Sequence, residues 1–327
     1  MSGAPAAAAP VPAVAAAPER VPWVAVLVFT VLAIGLAWLV DLPLWLSGQG
    51  LATPGAIVLI ALSMYAPGVA ALIVVVAVQR TPWRQVLPRL GWWPLRPVAR
   101  TIWFVVIGLV GSALLPILAV LLAAAFGMIQ LDLAGFSGLA ATLSAQLPAG
   151  TQLPIPIQLL ALLQLLQIPI AAFINGFFTI GEETGWRGFL LPALRPLGTW
   201  PALLLTGALW GLWHAPIILL GYDFGRPDAL GLVLMILGCT AYGTFIGWLR
   251  IRSASIWPSV IAHGAFNAAG GFAAVVIAAG TTADPAAVGP LGWAAWILLA
   301  AVAIVLTLTR QVPAKRDWAV PGVRARA

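Results

Sequence analysis

The segment GEETGWRGFLLPAL places two adjacent glutamates, Glu182 and Glu183, and one arginine, Arg187, directly after a long apolar run. Ionisable residues inside an apolar run are costly, and they are kept either for function or in pairs. Glu183 and Arg187 are four positions apart and can pair along a helix, which is sufficient to explain both of them. Glu182 projects about 100° away from Glu183, so its carboxylate is available for general acid–base chemistry.

Both histidines of the chain lie in other apolar segments, His214 in LWGLWHAP and His263 in SVIAHGAFNAAGG. Asn267 follows His263 by four residues and shares its helix face. Each of these side chains alone could be a hydrogen-bonded contact between helices. At about 1.5 Å per helical residue, however, Glu182, His214 and His263 reach a similar depth near the middle of the membrane. We therefore expect one site that combines a base with imidazole and amide donors, a set suited to hydrolysis.

The helix that carries the glutamates must present a polar edge to this site. Asn175 and Thr179 precede Glu182 at helical spacing and provide such an edge. For Glu182 to reach mid-membrane, the helix must be unusually long or must continue after a kink at Gly185 or Gly188.

Composition places the chain in a membrane. Of its 327 residues, 62% are hydrophobic and 8% are charged, and the mean hydropathy is +1.05, which excludes an ordinary soluble domain. The excess of 16 basic over nine acidic residues lies mostly in loops, which indicates membrane topology and not nucleic-acid binding. The single cysteine, Cys239, excludes an intrachain disulfide.

The apolar runs predict an all-α integral membrane protein, a bundle of about eight transmembrane helices with a polar cavity open to the cytoplasmic side. A span needs about 20 helical residues, and the runs lack the alternating polarity of barrel strands. The predicted spans lie near 23–46, 54–79, 101–127, 155–183, 200–220, 229–249, 254–279 and 290–309.

Charge placement predicts the orientation of these spans. With Arg187 set aside, fourteen Lys and Arg residues fall on the side that carries both termini, and only Arg226 falls on the other. Cytoplasmic loops carry such an excess, so we expect a multi-pass protein of the cell membrane with both termini in the cytoplasm.

The outer segment 128–154 is compatible with an interfacial flap or a loop, and the sequence as a whole predicts five regions. They are a disordered Ala/Pro-rich tail (1–21), three transmembrane helices and an outer loop (22–150), a catalytic core (151–280), a last transmembrane helix (281–309) and a basic cytoplasmic tail (310–327).

Three motifs together resemble a known family. EETGWR resembles the Glu-Glu-x-x-x-Arg motif of the CAAX-protease and bacteriocin-processing (CPBP, Abi) membrane proteases, WGLWH their Phe-x-x-x-His motif, and HGAFN their His-x-x-x-Asn motif. The order is that of the family, and the resemblance covers about residues 155–280. Trp210 stands where the family usually has Phe, and we expect this exchange to affect packing more than chemistry.

The resemblance implies an intramembrane glutamic endopeptidase and assigns roles by position. Glu182 would be the general base that activates water, and His214 would help to hold that water. His263 and Asn267 would stabilise the oxyanion of the tetrahedral intermediate.

The remaining motif residues, Glu183 and Arg187, would support the shape of the site. No cofactor is expected. Zinc is the alternative, because two histidines and a glutamate are possible ligands, although no His-Glu-x-x-His sequence is present.

The favoured function is hydrolysis of a peptide bond near the C-terminus of a membrane-bound or lipidated, CAAX-like protein or of a small peptide. The expected partners are that substrate and the lipid bilayer, with no nucleic acid. Two other classes stay open: a catalytically silent scaffold or immunity protein, and a transporter that uses the buried Glu and His residues as a proton relay.

Overall fold

A computed structural model describes residues 19–148, 151, 153 and 155–319. Most of the predicted N-terminal tail (1–18) and the last part of the basic tail (320–327) lie outside these residues. The described chain is helical, with an isolated antiparallel bridge between Leu131 and Ile277 and no strands. The predicted all-α class is therefore confirmed.

The helices follow one another with short connections. They are α1 (Trp23–Leu46), α2 (Ala56–Ser63), α3 (Ala66–Ile73), α4 (Trp83–Arg89), α5 (Val98–Ala125), α6 (Ser137–Ala145), α7 (Ile157–Leu166), α8 (Ile168–Glu183), α9 (Leu191–Leu194), α10 (Thr199–Trp213), α11 (Ala215–Ile218), α12 (Ala229–Ser253), α13 (Trp257–Ala269), α14 (Phe272–Val276), α15 (Pro285–Val288) and α16 (Trp293–Leu308), with π-helical turns at Val74–Val78 and Thr184–Leu190.

In the described part of the chain, six helical segments are long and apolar enough to cross a membrane, which makes this a multi-pass membrane protein. They are Trp23–Leu46, Ala56–Val78, Val98–Ala125, Ala229–Ser253, Trp257–Val276 and Pro285–Leu308. A seventh is obtained if Ile157–Leu166 and Ile168–Leu197, which meet at 50°, form one span. The predicted count of eight is not confirmed.

Prolines explain the two irregular spans. Pro169 lies at the start of α8 and Pro216 at the start of α11, and proline lacks the N–H that would continue the preceding helix. The predicted fifth span, 200–220, is therefore divided at His214 into α10 and α11. In the fourth span the sharp bend lies at Gln167, and the predicted kink at Gly185 or Gly188 is instead a π-helical turn.

The helix that carries His263 lies at the centre of the bundle. The span Trp257–Val276 is 67% buried, more than any of the other five, and α13 packs against both α5 and α8. Helix α10 packs closely on α12, because a Cβ on Gly211 would lie 2.5 Å from the Cα of Ile236. Small residues permit this approach of two backbones in a membrane.

The outer segment that the sequence left undecided is folded where it is described. Helix α6 packs on α14, and the amide of Asp132 donates to the carbonyl of Val276. The Asp132 carboxylate in turn accepts from the amides of Gly135 and Ser137. A hydrogen bond from the Ser137 side chain, together with these two from the backbone, lowers the pKa of Asp132 to about 2. The segment is thus tied to the span that carries His263 and Asn267.

Candidate active site

Glu182 lies at the C-terminal end of α8 and is 2% exposed. Its Oε2 atom accepts a hydrogen bond of 2.6 Å from the indole Nε1–H of Trp210 on α10. No other hydrogen bond to this carboxylate is found within the described ranges, so Oε1 is free to accept from another group. Glu182 also lines the cavity described below.

Glu183, in contrast, is fully buried and engaged by two cationic or potentially cationic groups. Its Oε1 atom accepts from Nη1 of Arg187 and from Nδ1 of His263, each at 2.9 Å. Arg187 is also fully buried, and its guanidinium carbon lies 4.3 Å from the centre of the Trp210 ring. The predicted pairing of Glu183 with Arg187 is present, and the structure adds His263 as a second partner.

The orientation of the His214 ring is fixed by a backbone carbonyl. Nδ1 of His214 lies 2.9 Å from the carbonyl oxygen of Trp210 one turn earlier. A carbonyl only accepts, so Nδ1 carries the proton and the neutral ring presents Nε2 as an acceptor. Asn267 lies one turn after His263 on α13, where its side chain is exposed along the cavity wall.

A π-helical turn, Thr184–Leu190, continues directly from the glutamates. Such turns are rare and are frequent at functional sites. The turn packs tightly, since a Cβ on Gly185 would lie 2.4 Å from the Cβ of Pro67 in the second span. On its other side, Nε of Arg250 donates to the carbonyl of Arg187 at 3.1 Å. Neighbouring helices thus hold the backbone that presents both glutamates.

The four residues predicted to be catalytic, Glu182, His214, His263 and Asn267, line one cavity of about 630 Å³. Its wall is mostly apolar, with additional polar side chains from Ser63, Asn175, Tyr222 and Asp223. This arrangement, a few polar groups in an apolar pocket of several hundred Å³, is typical of small-ligand sites.

The cavity extends toward the end of the bundle formed by the loops 219–228 and 277–292, which supply Tyr222–Phe224 and Pro285 to its lining. The charge pattern predicts that these loops lie on the outer side. At the opposite, arginine-rich end, every residue of 181–191 is buried, and a Cβ on Gly188 would lie 2.9 Å from the carbonyl oxygen of Leu90. The predicted opening toward the cytoplasm is not confirmed.

One site residue escaped the sequence reasoning. Trp210 was expected to affect packing, but its N–H donates to Glu182 and its carbonyl accepts from His214. An indole carries a donor that a phenyl ring lacks, and the expectation that the exchange affects packing more than chemistry stays a prediction. Its position, four residues before His214 on one helix face, was the available signal. Among the described residues, no group of three or more His, Cys, Asp or Glu side chains is arranged to hold a metal ion.

A comparison with protein-family models bears on this geometry. Residues 161–269 match the family described as type II CAAX prenyl endopeptidase Rce1-like. This segment is similar to that family. The resemblance drawn from the three motifs is thereby confirmed, since the match is consistent with the CAAX-protease and bacteriocin-processing family. No curated protein matches the chain.

The matched segment spans about a third of the chain and includes every predicted site residue. It begins within α7 and ends at the last residue of α13. The match therefore covers the helices that line the deep part of the cavity, together with Trp210.

Proposed function

We propose that this protein is a metal-free intramembrane endopeptidase. It hydrolyses a peptide bond near the C-terminus of a membrane-bound or lipidated, CAAX-like protein or of a small peptide, in a cell membrane, with both termini cytoplasmic. The observation that carries the proposal is that Glu182, His214, His263 and Asn267 line one cavity within a membrane-spanning bundle. The match to a CAAX endopeptidase family supports the same reaction class.

Glu182 is the proposed general base. Its Oε1 atom is free of other hydrogen bonds among the described residues, while Oε2 is held by Trp210. A water molecule between Oε1 of Glu182 and Nε2 of His214 would have two acceptors for its two protons, which orients its lone pair toward a peptide carbonyl. Glu182 takes one of these protons as the oxygen attacks, and it then supplies a proton to the leaving amine.

His263 and Asn267 are the proposed oxyanion donors. The amide N–H₂ of Asn267 can donate directly. Nδ1–H of His263 is committed to Glu183, so His263 can donate to the substrate only through Nε2–H, in the imidazolium form. Glu183 holds this ring through its hydrogen bond to Nδ1, and Arg187 in turn pairs with Glu183. Donors aimed at a developing oxyanion contribute about 3–4 kcal/mol of transition-state stabilisation each.

The cavity wall favours an apolar peptide segment. Among the described residues, its lining includes the carboxylates of Glu182 and Asp223 but no lysine or arginine. Asp223 lies exposed in the loop at the cavity rim. A peptide tail would enter from this end of the bundle, next to the lipid, and lay its backbone across the deep polar groups.

Reconstituted protein tests the proposal directly. The purified chain in liposomes is incubated with farnesylated tail peptides, palmitoylated peptides and unmodified apolar peptides in H₂¹⁸O, and the products are analysed by mass spectrometry. We expect endoproteolytic cleavage with one ¹⁸O atom in the new carboxylate. Binding of a peptide without cleavage of any would support the scaffold class, and proton flux without cleavage would support a transporter; either result would overturn the proposal.

Removal of metal ions is expected to leave activity unchanged. Water activation by Glu182 needs no Lewis acid, so dialysis against EDTA followed by 1,10-phenanthroline should retain the full rate of peptide cleavage. A zinc peptidase treated in parallel serves as the control and should lose its activity. Loss of cleavage that is restored by added zinc would contradict the metal-free mechanism and assign the Glu and His side chains as ligands.

A further inference from the structure

Trp210 stands where the family usually has Phe, and it makes a polar contact that a Phe side chain could not make. The residue is 2% exposed, and its indole N–H donates to Oε2 of Glu182 at 2.6 Å. Hydrogen bonds to a charged group are shorter and stronger than those between neutral groups. A carboxylate that accepts such a bond is held both in its charged form and in one orientation. The bond directs the other oxygen, Oε1, away from the indole.

The same residue contacts the other polar groups of the site. Its backbone carbonyl accepts from Nδ1 of His214, and the face of its ring lies against Arg187 at 4.3 Å. Its ring also meets His263 edge-on, with ring centres 5.2 Å apart. Trp210 therefore touches the proposed base, both imidazoles and the buried cation from one position on α10.

We propose that Trp210 is a positioning residue for the reaction: through its indole N–H it holds Glu182 as an oriented carboxylate that faces the attacking water. This inference rests on the proposed function of Glu182. It explains why a hydrogen-bond donor stands at a position where a phenyl ring would fill a similar space. The residue acts through Glu182 and does not itself contact the substrate.

Two other buried tryptophans show that the N–H of Trp210 is a specific feature. The indole nitrogens of Trp186 and Trp213 are buried and have no hydrogen-bond partner among the described residues. Trp186 is fully buried, in the turn that follows the glutamates. A change that removes only the N–H from Trp186 therefore costs no hydrogen bond, whereas the same change at Trp210 removes the contact to Glu182.

The test replaces the N–H by sulfur and keeps the ring. Benzothienylalanine is introduced at position 210 by stop-codon suppression, and at position 186 as the matched control. For position 210 we expect kcat to fall about tenfold to a hundredfold with KM unchanged, in line with the loss of a hydrogen bond to a charged group. The position 186 protein should keep wild-type values. A kcat within twofold of wild type for the position 210 protein would overturn the inference.

A spectroscopic measurement separates this inference from the proposed function. The antisymmetric carboxylate band of Glu182 is identified by infrared difference between the wild type and Glu182→Gln in liposomes. We expect the band to shift in the position 210 protein and not in the position 186 protein, whether or not the chain cleaves peptides. A shifted band without any peptide cleavage would refute the endopeptidase and keep the hydrogen bond, and an unmoved band would refute the positioning role itself.

Discussion

Replacing Glu182 with glutamine is expected to lower kcat for peptide cleavage by at least about 1,000-fold, within the range that general bases contribute. The amide has nearly the same size and can still accept a hydrogen bond from Trp210, but it cannot take a proton from water. Steady-state cleavage of the best peptide identified in liposomes measures the effect. The protein should remain folded, because Gln at this position adds no charge and removes no packing.

The matched control for this variant is Asp41→Asn. Asp41 is a second carboxylate in a membrane span, 2% exposed on α1, and it does not line the cavity. The same exchange of a buried carboxylate for an amide should leave kcat within about twofold of wild type, because Asp41 takes no part in the proposed reaction. Any effect of this exchange should fall on stability. If Glu182→Gln cleaved the peptide as fast as Asp41→Asn, Glu182 could not be the base.

Replacing Arg187 with methionine is expected to destabilise the protein by about 3–5 kcal/mol, the usual cost of removing one partner of a buried ion pair. Glu183 would keep His263 but lose its permanent cation, and Oε2 of Glu183 already has no partner among the described residues. Methionine fills much of the arginine stem without a charge. The free energy of unfolding in detergent micelles, measured by chemical denaturation, reports the change.

A double variant separates the loss of stability caused by an unpaired charge from the loss caused by a smaller side chain. Glu183→Gln combined with Arg187→Met removes both charges and should recover most of the stability, while catalysis stays impaired because His263 has lost its carboxylate. Arg226→Met is the exposed control: the side chains of Arg226 and Asp284 are 39% and 51% exposed, and such pairs contribute about 0–1 kcal/mol. Equal stability of Arg187→Met and Arg226→Met would contradict the role of the buried pair.

Composition predicted the position of most membrane spans. Six predicted spans correspond to segments that are long and apolar enough to cross a membrane, because a long run of apolar residues has few alternatives to a transmembrane helix. The fourth and fifth are broken at Gln167 and His214. Hydropathy sums the apolarity of residues and does not register where a proline interrupts the helix, so it could not reveal these breaks.

Local spacing predicted only part of the site. The pairing of Glu183 with Arg187 follows from four-residue spacing on one helix. The contact between Glu183 and His263 joins residues 80 positions apart and depends on how α13 is rotated against α8, which no local pattern encodes. The bond from Trp210 to Glu182 depends in the same way on the packing of α10. The motifs thus predicted which residues belong to one site. The atoms that form each hydrogen bond depend on how the helices pack.

Because a π-helical turn follows the glutamates, the number of residues in this segment is as constrained as the types of its residues. A π-helical turn accommodates one residue more than an α-helical turn, and each α-helical residue advances the chain by about 100°. Deleting one residue from Thr184–Leu190 would let the helix run on without interruption, but Glu182 would rotate away from His214 relative to everything downstream. A deletion or an insertion in this turn is therefore expected to disrupt the site even when every motif side chain is retained.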